Sequence, residues 1–364
     1  MRYRREPDRC PALARQGGTG DAGECCPLVK QEPSVILIGA SAGGVEALRT
    51  LVGALPADLS AALFIVLHIG SHKSELPWLL GSLDGLPASH AIDGELFEPG
   101  HIYIAPPDHH MVIEPGRISL TKGPRENWAR PAIDPLFRSA ASVYGANTIG
   151  VILTGALNDG TAGLYEVAQA GGVTIVQDPV EAVNPSMPRS ALAYVAVDHC
   201  LPLAGIAEML TRLVRARTTD APQAVFEIPQ EQPQEDAMAA EFTQNIPVAV
   251  TCPDCGGALR RKELGTLTQF ACHIGHIYTA EVMLAAQFLT LERSIETAMR
   301  SLDERAELCR QMAEKARPDD LDHVETSWGA AMRQAHERAE PLRDILTREW
   351  IHPDGIGVIS DTSS

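Results

Sequence analysis

Two residues that could act together as nucleophile and base each follow an apolar run of the sequence. Ser41 lies in a glycine-rich loop directly after residues 35–38, and His68 directly follows residues 62–67. Apolar runs of this kind are typical of buried parallel strands, whose carboxyl ends meet at one edge of a sheet. A serine hydroxyl needs a nearby base to attack a carbonyl, and an imidazole can accept the proton and return it. The pattern therefore predicts a nucleophilic serine with a histidine base.

A serine–histidine pair also needs a carboxylate that orients the imidazole and stabilises its charged form. Asp159 and Asp178 each follow a further predicted strand, so both could reach the same sheet edge. Spacing alone does not decide between them. Asp134 and Asp108 lie in connecting segments and are the weaker candidates.

The glycines around Ser41 also allow a different hypothesis, a loop that holds phosphate groups. Glycine-rich turns that open a helix bind the pyrophosphate of dinucleotides. Here the spacing is Gly-x-x-x-Gly-Gly, and the next predicted strand ends in His68 rather than in an acidic residue that would hold a ribose. Dinucleotide binding is therefore disfavoured, while an ordinary helix-capping role for Ser41 remains the alternative to catalysis.

Four residues toward the C-terminus have the types and spacing of zinc ligands. A Cys-x-x-Cys pair is followed by a Cys-x-x-x-His pair, and this set suits tetrahedral zinc better than magnesium or calcium. His273 competes with His276 for the fourth position, and His276 is favoured because Gly275 lets the chain fold back. A structural zinc is predicted, which would supply much of the folding free energy of a small module. The predicted ligands are Cys252, Cys255, Cys272 and His276.

The elements that position these residues alternate between strand and helix patterns from residue 34 to residue 216. This alternation predicts an α/β fold, a doubly wound and mostly parallel sheet with helices on both faces. Residues 101–105 and 111–113 flank a Pro-Pro-Asp turn and are predicted to form a hairpin. The predicted segments are a flexible extension (1–33), the catalytic domain (34–216), an acidic Pro- and Gln-rich linker (217–246), a zinc-ribbon-like module (247–280), a helical tail (281–350) and a frayed C-terminus (351–364).

The helical tail carries an apolar stripe with a seven-residue repeat. The stripe indicates a helical hairpin or a coiled-coil surface for a partner, or equally a helix packed on its own domain. A return helix is predicted over 324–346, with a break near Pro341. The stripe consists of Phe288, Ile295, Leu302 and Cys309, with Leu291, Ala298 and Met312 in a second row offset by three.

Composition narrows the class of protein. The chain has 364 residues, with 30 Lys and Arg against 47 Asp and Glu, so its formal net charge is −17. This balance disfavours nucleic acid as a partner. No apolar run approaches the roughly 18–20 residues of a membrane span, and no secretory signal is recognisable, so a cytoplasmic protein without membrane insertion is predicted. Cys10, Cys25 and Cys26 are expected to be solvated thiols of the N-terminal extension.

Short motifs follow one another through the α/β domain, namely VILIGASAGG (35–44), His68, YIAPPDHHM (103–111), RPAIDPLFRS (130–139), GVILTG (150–155), NDG (158–160), QDP (177–179) and MPR (187–189). Taken in order, they resemble the catalytic domain of CheB-type protein-glutamate methylesterases of bacterial chemotaxis. The resemblance implies a catalytic triad of Ser41, His68 and Asp159, with no cofactor for catalysis. It implies hydrolysis of glutamate methyl esters on chemoreceptor helices, and glutamine deamidation at the same sites.

The sequence departs from that family in three respects, which are the loop before the catalytic aspartate, the unusual segment Asn184-Pro185-Ser186, and the length before the α/β domain. The loop before the catalytic aspartate usually has Met and Gly where Ala156 and Leu157 stand, and Leu157 is expected to change access. Backbone N–H groups near Ala156, or at the helix start after Ser41, are the expected oxyanion donors. Chemotaxis members commonly carry an N-terminal receiver domain, for which the residues before Ser34 leave no room. The C-terminal segment resembles that of some receiver-less homologues. The competing hypothesis is an adaptor that recruits a signalling partner through this segment.

Overall fold

Seven parallel strands form the central sheet, and an antiparallel pair packs beside it. A computed structural model describes residues 34–68, 74–83, 85–219, 246–316 and 322–348, all within one compact unit, Pro33–Ser364. The sheet order is β3-β4-β2-β1-β7-β8-β9, and every neighbouring pair is parallel. The strands are β1 (Ser34–Ala40), β2 (Ala61–Leu67), β3 (Ala88–His90), β4 (Ile102–Ile104), β5 (His110–Glu114), β6 (Arg117–Thr121), β7 (Thr148–Ile152), β8 (Val173–Gln177) and β9 (His199–Leu201).

Helices cover both faces of this sheet, because the central strands are apolar on both sides. In β1, Ile36 and Ile38 point into one hydrophobic core, and Val35 and Leu37 point into the other. Helices α1, α2 and α6 close the first core, whereas α3, α4 and α5 close the second. The predicted doubly wound α/β fold is confirmed. The helices are α1 (Gly44–Gly53), α2 (Leu76–Gly81), α3 (Ile133–Tyr144), α4 (Thr161–Gln169), α5 (Ser186–Tyr194) and α6 (Leu203–Thr219).

The hairpin predicted around Pro106 is wrong. Strand β4 joins the central sheet beside β2 and β3, and β5 pairs instead with β6 across a turn at Gly116. The apolar residues of β4 are buried on both faces of the sheet, which a two-stranded hairpin could not provide. The signal for the true hairpin is Pro115-Gly116, which lies between the two runs that pair.

A second, antiparallel sheet and two long helices form the C-terminal part. The sheet order is β10-β11-β12-β13, and the helices pack against each other along their lengths. The second helix continues through Pro341, so the predicted break there is wrong. These elements are β10 (Ile246–Thr251), β11 (Ala258–Leu264), β12 (Leu267–Cys272), β13 (Ile277–Thr279), α7 (Ala280–Ala316) and α8 (Asp322–Thr347).

The apolar stripe of α7 is placed partly as predicted. Ile295 and Cys309 are buried, but Leu291 is 41% exposed and Ala298 is also exposed. Ala306, four residues after Leu302, is buried, whereas Arg305, three residues after it, is exposed. Burying Ala306 in place of Arg305 avoids the cost of burying a charge.

Several sequence expectations lie outside the described residues. These are the N-terminal extension with Cys10, Cys25 and Cys26, most of the linker, and the C-terminus from residue 349. Among the described helices, none combines the length and apolar character that crossing a membrane requires.

Burial predicts how single truncations change stability. Leu48 on α1 is fully buried in the first core, so we expect Leu48→Ala to lower the free energy of unfolding by about 2–5 kcal/mol. Leu96→Ala is the matched control, because Leu96 is 69% exposed. Its free energy of unfolding should stay within about 0.5 kcal/mol of the wild-type value. Denaturant titration measures both. Equal losses in the two variants would contradict the described core.

Candidate active site and metal centre

The register of β1 and β2 brings Ser41 and His68 to the same edge of the sheet. Ala40 pairs with Leu67, so the next residue of each strand is a candidate catalytic residue. The His68 N–H donates to Ala40 O at 3.1 Å, and the Ser41 N–H donates to Thr154 O at 3.0 Å. Ser41 thereby stands between β2 and β7, at the carboxyl edge where open α/β sheets bind ligands.

Glycine at position 155 leaves room beside Ser41. A Cβ built on Gly155 would lie 2.8 Å from the Ser41 Cβ and 2.0 Å from the Met187 sulfur. Both contacts are far inside van der Waals distance, so no larger residue fits there without displacing the serine loop. This close approach also explains why the loop after β7 can reach the serine.

The structure brings His68 together with Asp159 and not with Asp178. His68 Nε2 donates to Asp159 Oδ2 across 2.9 Å, and the two side chains are 20% and 3% exposed. The Asp178 side chain accepts the N–H of Val180, in its own loop after β8. The histidine therefore reaches solvent while its acidic partner is buried. This geometry separates the two aspartates that spacing alone left open.

Three donors from three parts of the chain hold the Asp159 carboxylate. Besides His68, the Ile133 N–H donates to Oδ2 at 2.6 Å, and Asn127 Nδ2 donates to Oδ1 at 3.0 Å. Burial opposes ionisation of Asp159, but the hydrogen bond and charge of His68, together with the other donors, hold its pKa below the usual range. Asp159 is therefore an ionised partner for an imidazole.

Asp134 lies next to this carboxylate, although its position in the sequence gave it little weight. Its side chain is fully buried, with Oδ1 accepting the Gly163 N–H at 2.7 Å and Oδ2 accepting Asn127 Nδ2 at 2.9 Å. Burial and the charge of Asp159 raise the pKa of Asp134 well above its usual range. Asp134 therefore anchors a backbone N–H at the start of α4 and bonds Asn127, whereas His68 bonds Asp159. Asp108 pairs with Arg130 instead.

Asn127 was not identified from the sequence. Its φ of 48° is a left-handed backbone conformation, which asparagine tolerates better than most residues. Its side chain bridges the two buried aspartates, and no sequence motif marks it for this role. The only local signal is an Asn in a polar stretch before the Arg130-Pro131 segment, which is typical of any turn.

The four predicted zinc ligands meet in space. Their ligand atoms all lie within 4.8 Å of one another. Sγ of Cys255 and Sγ of Cys272 are 3.7 Å apart, close to the separation of about 3.8 Å that Zn–S bonds of 2.3 Å require in a tetrahedron. Three thiols and one imidazole suit zinc in both type and number. The cluster consists of Cys252, Cys255, Cys272 and His276.

The geometry selects His276 over His273. His276 Nδ1 lies 3.6 Å from Cys252 Sγ and 3.5 Å from Cys272 Sγ. The chain turns back through Gly275, whose φ is +101°, a value that side chains rarely allow. His273 is exposed, and its ring packs against Gly257. Burial opposes ionisation of Cys272, but nearby N–H donors lower its pKa to about 7, which favours the thiolate that zinc binds.

Comparisons with known proteins cover the α/β part. Residues 36–210 match the family described as CheB methylesterase. Over 181 residues the chain is 42% identical to a Leptospira interrogans protein with the provisional name protein-glutamate methylesterase/protein-glutamine glutaminase, an alignment covering 49% of this chain and 93% of the relative. The chain belongs to the CheB methylesterase family. The match ends before the cysteine cluster, so the C-terminal part lies outside the matched region.

Two further similarities also cover about half of the chain. A protein-glutamate methylesterase/protein-glutamine glutaminase of Bordetella parapertussis is 40% identical over 219 residues, covering 56% of this chain and 62% of the relative. The crystal structure of the Thermotoga maritima CheB methylesterase catalytic domain is 34% identical, with a TM-score of 0.48, and covers 50% of this chain and 100% of that one.

One departure from the CheB pattern has a structural explanation. Leu157 stands where the family resemblance expects glycine, and its φ of 60° is left-handed. A leucine in this conformation costs about 1 kcal/mol or more relative to glycine. Its side chain packs against the hydrophobic cluster around Cys252 and Cys272, which offsets that cost. The leucine thus binds the active-site loop to the C-terminal part.

The cysteine cluster predicts the metal content of the protein. We expect about one zinc per chain in protein purified without chelators, and a large loss of zinc in Cys255→Ser, because three ligands hold zinc much less tightly. Elemental analysis of both proteins is the measurement. Cys200→Ser is the matched control, since Cys200 lies on β9 outside the cluster, and it should keep its zinc. Wild-type protein without metal would contradict the assignment.

Proposed function

We propose that the chain is a serine esterase that hydrolyses glutamate methyl esters on the signalling helices of methylated chemoreceptors, releasing methanol. The observation that carries the proposal is the His68–Asp159 hydrogen bond of 2.9 Å at the sheet edge where Ser41 also lies. Membership of the CheB methylesterase family supports ester hydrolysis. The names of the relatives support glutamate methyl esters as substrate and glutamine deamidation as a second activity of the same site.

In the proposed mechanism, Ser41 Oγ attacks the ester carbonyl while His68 accepts its proton. Because Nε2 of His68 faces Asp159, Nδ1 is the ring nitrogen that accepts this proton. Asp159 fixes that tautomer and stabilises the imidazolium that forms. The imidazolium then protonates the methoxide leaving group, so methanol departs and an acyl-enzyme remains. Water, activated by His68, hydrolyses the acyl-enzyme to the glutamate carboxylate and free Ser41.

Backbone N–H groups are the proposed donors to the oxyanion. The N–H of Ala156 lies in the loop that carries Asp159, and α1 begins directly after the serine loop, with its positive end toward the site. Such donors act on the negative charge that develops in the tetrahedral intermediate. No metal or cofactor is needed for these steps, and the proposed zinc site has a structural role.

Exposed apolar side chains next to Ser41 support a protein substrate. Val183 is 78% exposed, and a Cβ on Gly43 would lie 2.7 Å from its Cβ, so it borders the serine loop. Val180 and Val45 are 93% and 45% exposed on neighbouring segments. Apolar surface of this kind suits the apolar face of an amphipathic helix better than a small polar molecule.

Release of methanol tests the proposed function directly. Wild-type protein should release labelled methanol from methylated receptor helices, and Ser41→Ala should be slower by at least about 10³-fold, because no other group replaces the nucleophile. Ser41 should also react with a fluorophosphonate probe. If wild type releases no more methanol than Ser41→Ala and its serine is inert, the esterase proposal fails and the adaptor hypothesis is favoured.

A pair of aspartate variants tests the role assigned to Asp159. We expect Asp159→Asn to lower kcat by about 10⁴-fold, because an amide stabilises the wrong imidazole tautomer. Asp178→Asn is the matched control, an aspartate that also follows a sheet strand but does not contact His68, and it should keep nearly full activity. Steady-state kinetics on the same ester measures both. A larger loss in Asp178→Asn than in Asp159→Asn would refute the assignment.

A further inference from the structure

The junction between β13 and α7 lies directly against the loop that carries Asp159. Thr279, the last residue of β13, donates from Oγ1 to Asn158 Oδ1 at 2.7 Å. Its backbone N–H donates to Asn127 Oδ1 at 3.0 Å. Thr279, Asn127 and Asn158 are all buried. Thr279 therefore bonds both Asn127, which donates to Asp159, and Asn158, the residue before Asp159.

Asn127 is fixed to β13 through the backbone as well. Its N–H donates to Ile277 O at 2.8 Å, and the Ile277 N–H donates to Arg125 O at 3.4 Å. The segment 125–127 thus pairs with the edge strand of the C-terminal sheet. These bonds hold the Asn127 backbone in its left-handed conformation.

The amide group of Asn127 has no freedom to reorient. Its Nδ2 donates to both Asp159 and Asp134, and its Oδ1 accepts the Thr279 N–H. A flip of the amide would exchange donor and acceptor and would break all three bonds. The Thr279 N–H therefore selects the orientation in which Nδ2 faces the Asp159 carboxylate.

The opposite side of the same loop is held by the first turn of α7. Glu281 accepts Asn158 Nδ2 at 2.8 Å and also accepts the hydroxyl of Tyr194. Leu157 packs against the apolar cluster of the C-terminal sheet. Leu157 and Asn158, the two residues before Asp159, are thus both held by elements that follow residue 250.

Building on the proposed function, we infer that Thr279 is a positioning residue for Asp159, and that the cysteine-containing sheet is a structural part of the active site. The cluster ligand His276 lies three residues before Thr279 in one short segment, so the sheet that the cluster organises also places Thr279. Within the described residues, no other segment donates to the side-chain oxygen Oδ1 of Asn127.

Kinetics of Thr279 variants in the full chain test this inference. Thr279→Val keeps the side-chain shape but removes the hydroxyl that bonds Asn158. With an activated p-nitrophenyl ester as probe, we expect kcat to fall about tenfold with KM unchanged, because the loss acts on Asp159 rather than on ester binding. Thr279→Ser restores the hydroxyl and should restore kcat. Thr290→Val is the matched control, since the Thr290 hydroxyl donates to the Ala286 carbonyl of its own helix, and it should match wild type.

A second variant keeps the inference testable if Thr279→Val does not fold. Asn127→Gly removes the bridging amide, and glycine adopts a φ of 48° without strain. We expect its kcat to fall about 10- to 100-fold. The positioning role alone would be overturned if the kcat of Thr279→Val equalled that of Thr290→Val, or if the kcat of Asn127→Gly equalled that of wild type. Wild type no faster than Ser41→Ala on the ester would instead overturn the proposed function, and the role of Thr279 with it.

Discussion

The site depends on keeping one buried carboxylate ionised. Asp159 is almost completely enclosed, so desolvation opposes its negative form. Three hydrogen bonds, from His68, Ile133 and Asn127, outweigh that opposition and lower its pKa. Asp134 responds in the opposite direction, since its pKa rises well above the usual range. The pair thus divides into an ionised aspartate that faces the histidine and a second aspartate that anchors a helix.

Each donor to Asp159 comes from a different part of the fold, so all three parts must be in place to hold this carboxylate. The parallel register delivers His68 beside Ser41, and the start of α3 delivers the Ile133 N–H. That helix comes close enough only because Gly39 lacks a side chain, since a Cβ there would lie 2.6 Å from Ile133 Cγ2. The third donor, Asn127, is oriented by the C-terminal sheet. The cysteine-containing sheet is therefore continuous with the surroundings of Asp159.

The sequence was sufficient to predict the parts that depend on local pattern. Buried β-branched runs predicted the parallel sheet, and the residues that end those runs, Ser41 and His68, were identified as a pair. Ligand chemistry and spacing likewise predicted the cysteine cluster, with Gly275 favouring His276. What spacing could not provide was the choice between Asp159 and Asp178, because both follow strands and only the loop paths differ. The contact between Asn127 and Thr279 could not be predicted either, because the two residues are 152 positions apart and neither belongs to a motif.

The hydrogen bond between His68 and Asp159 is the central claim, and nitrogen-15 NMR of histidine-labelled protein tests it most directly. In mildly alkaline solution, the full chain should show His68 with its proton on Nε2 and with Nδ1 unprotonated, and Asp159→Asn should abolish the hydrogen-bonded signal of that proton. The His68 resonance is assigned by its absence in His68→Gln. A proton on Nδ1 instead, or a His68 signal unchanged in Asp159→Asn, would contradict the pairing of this histidine with Asp159.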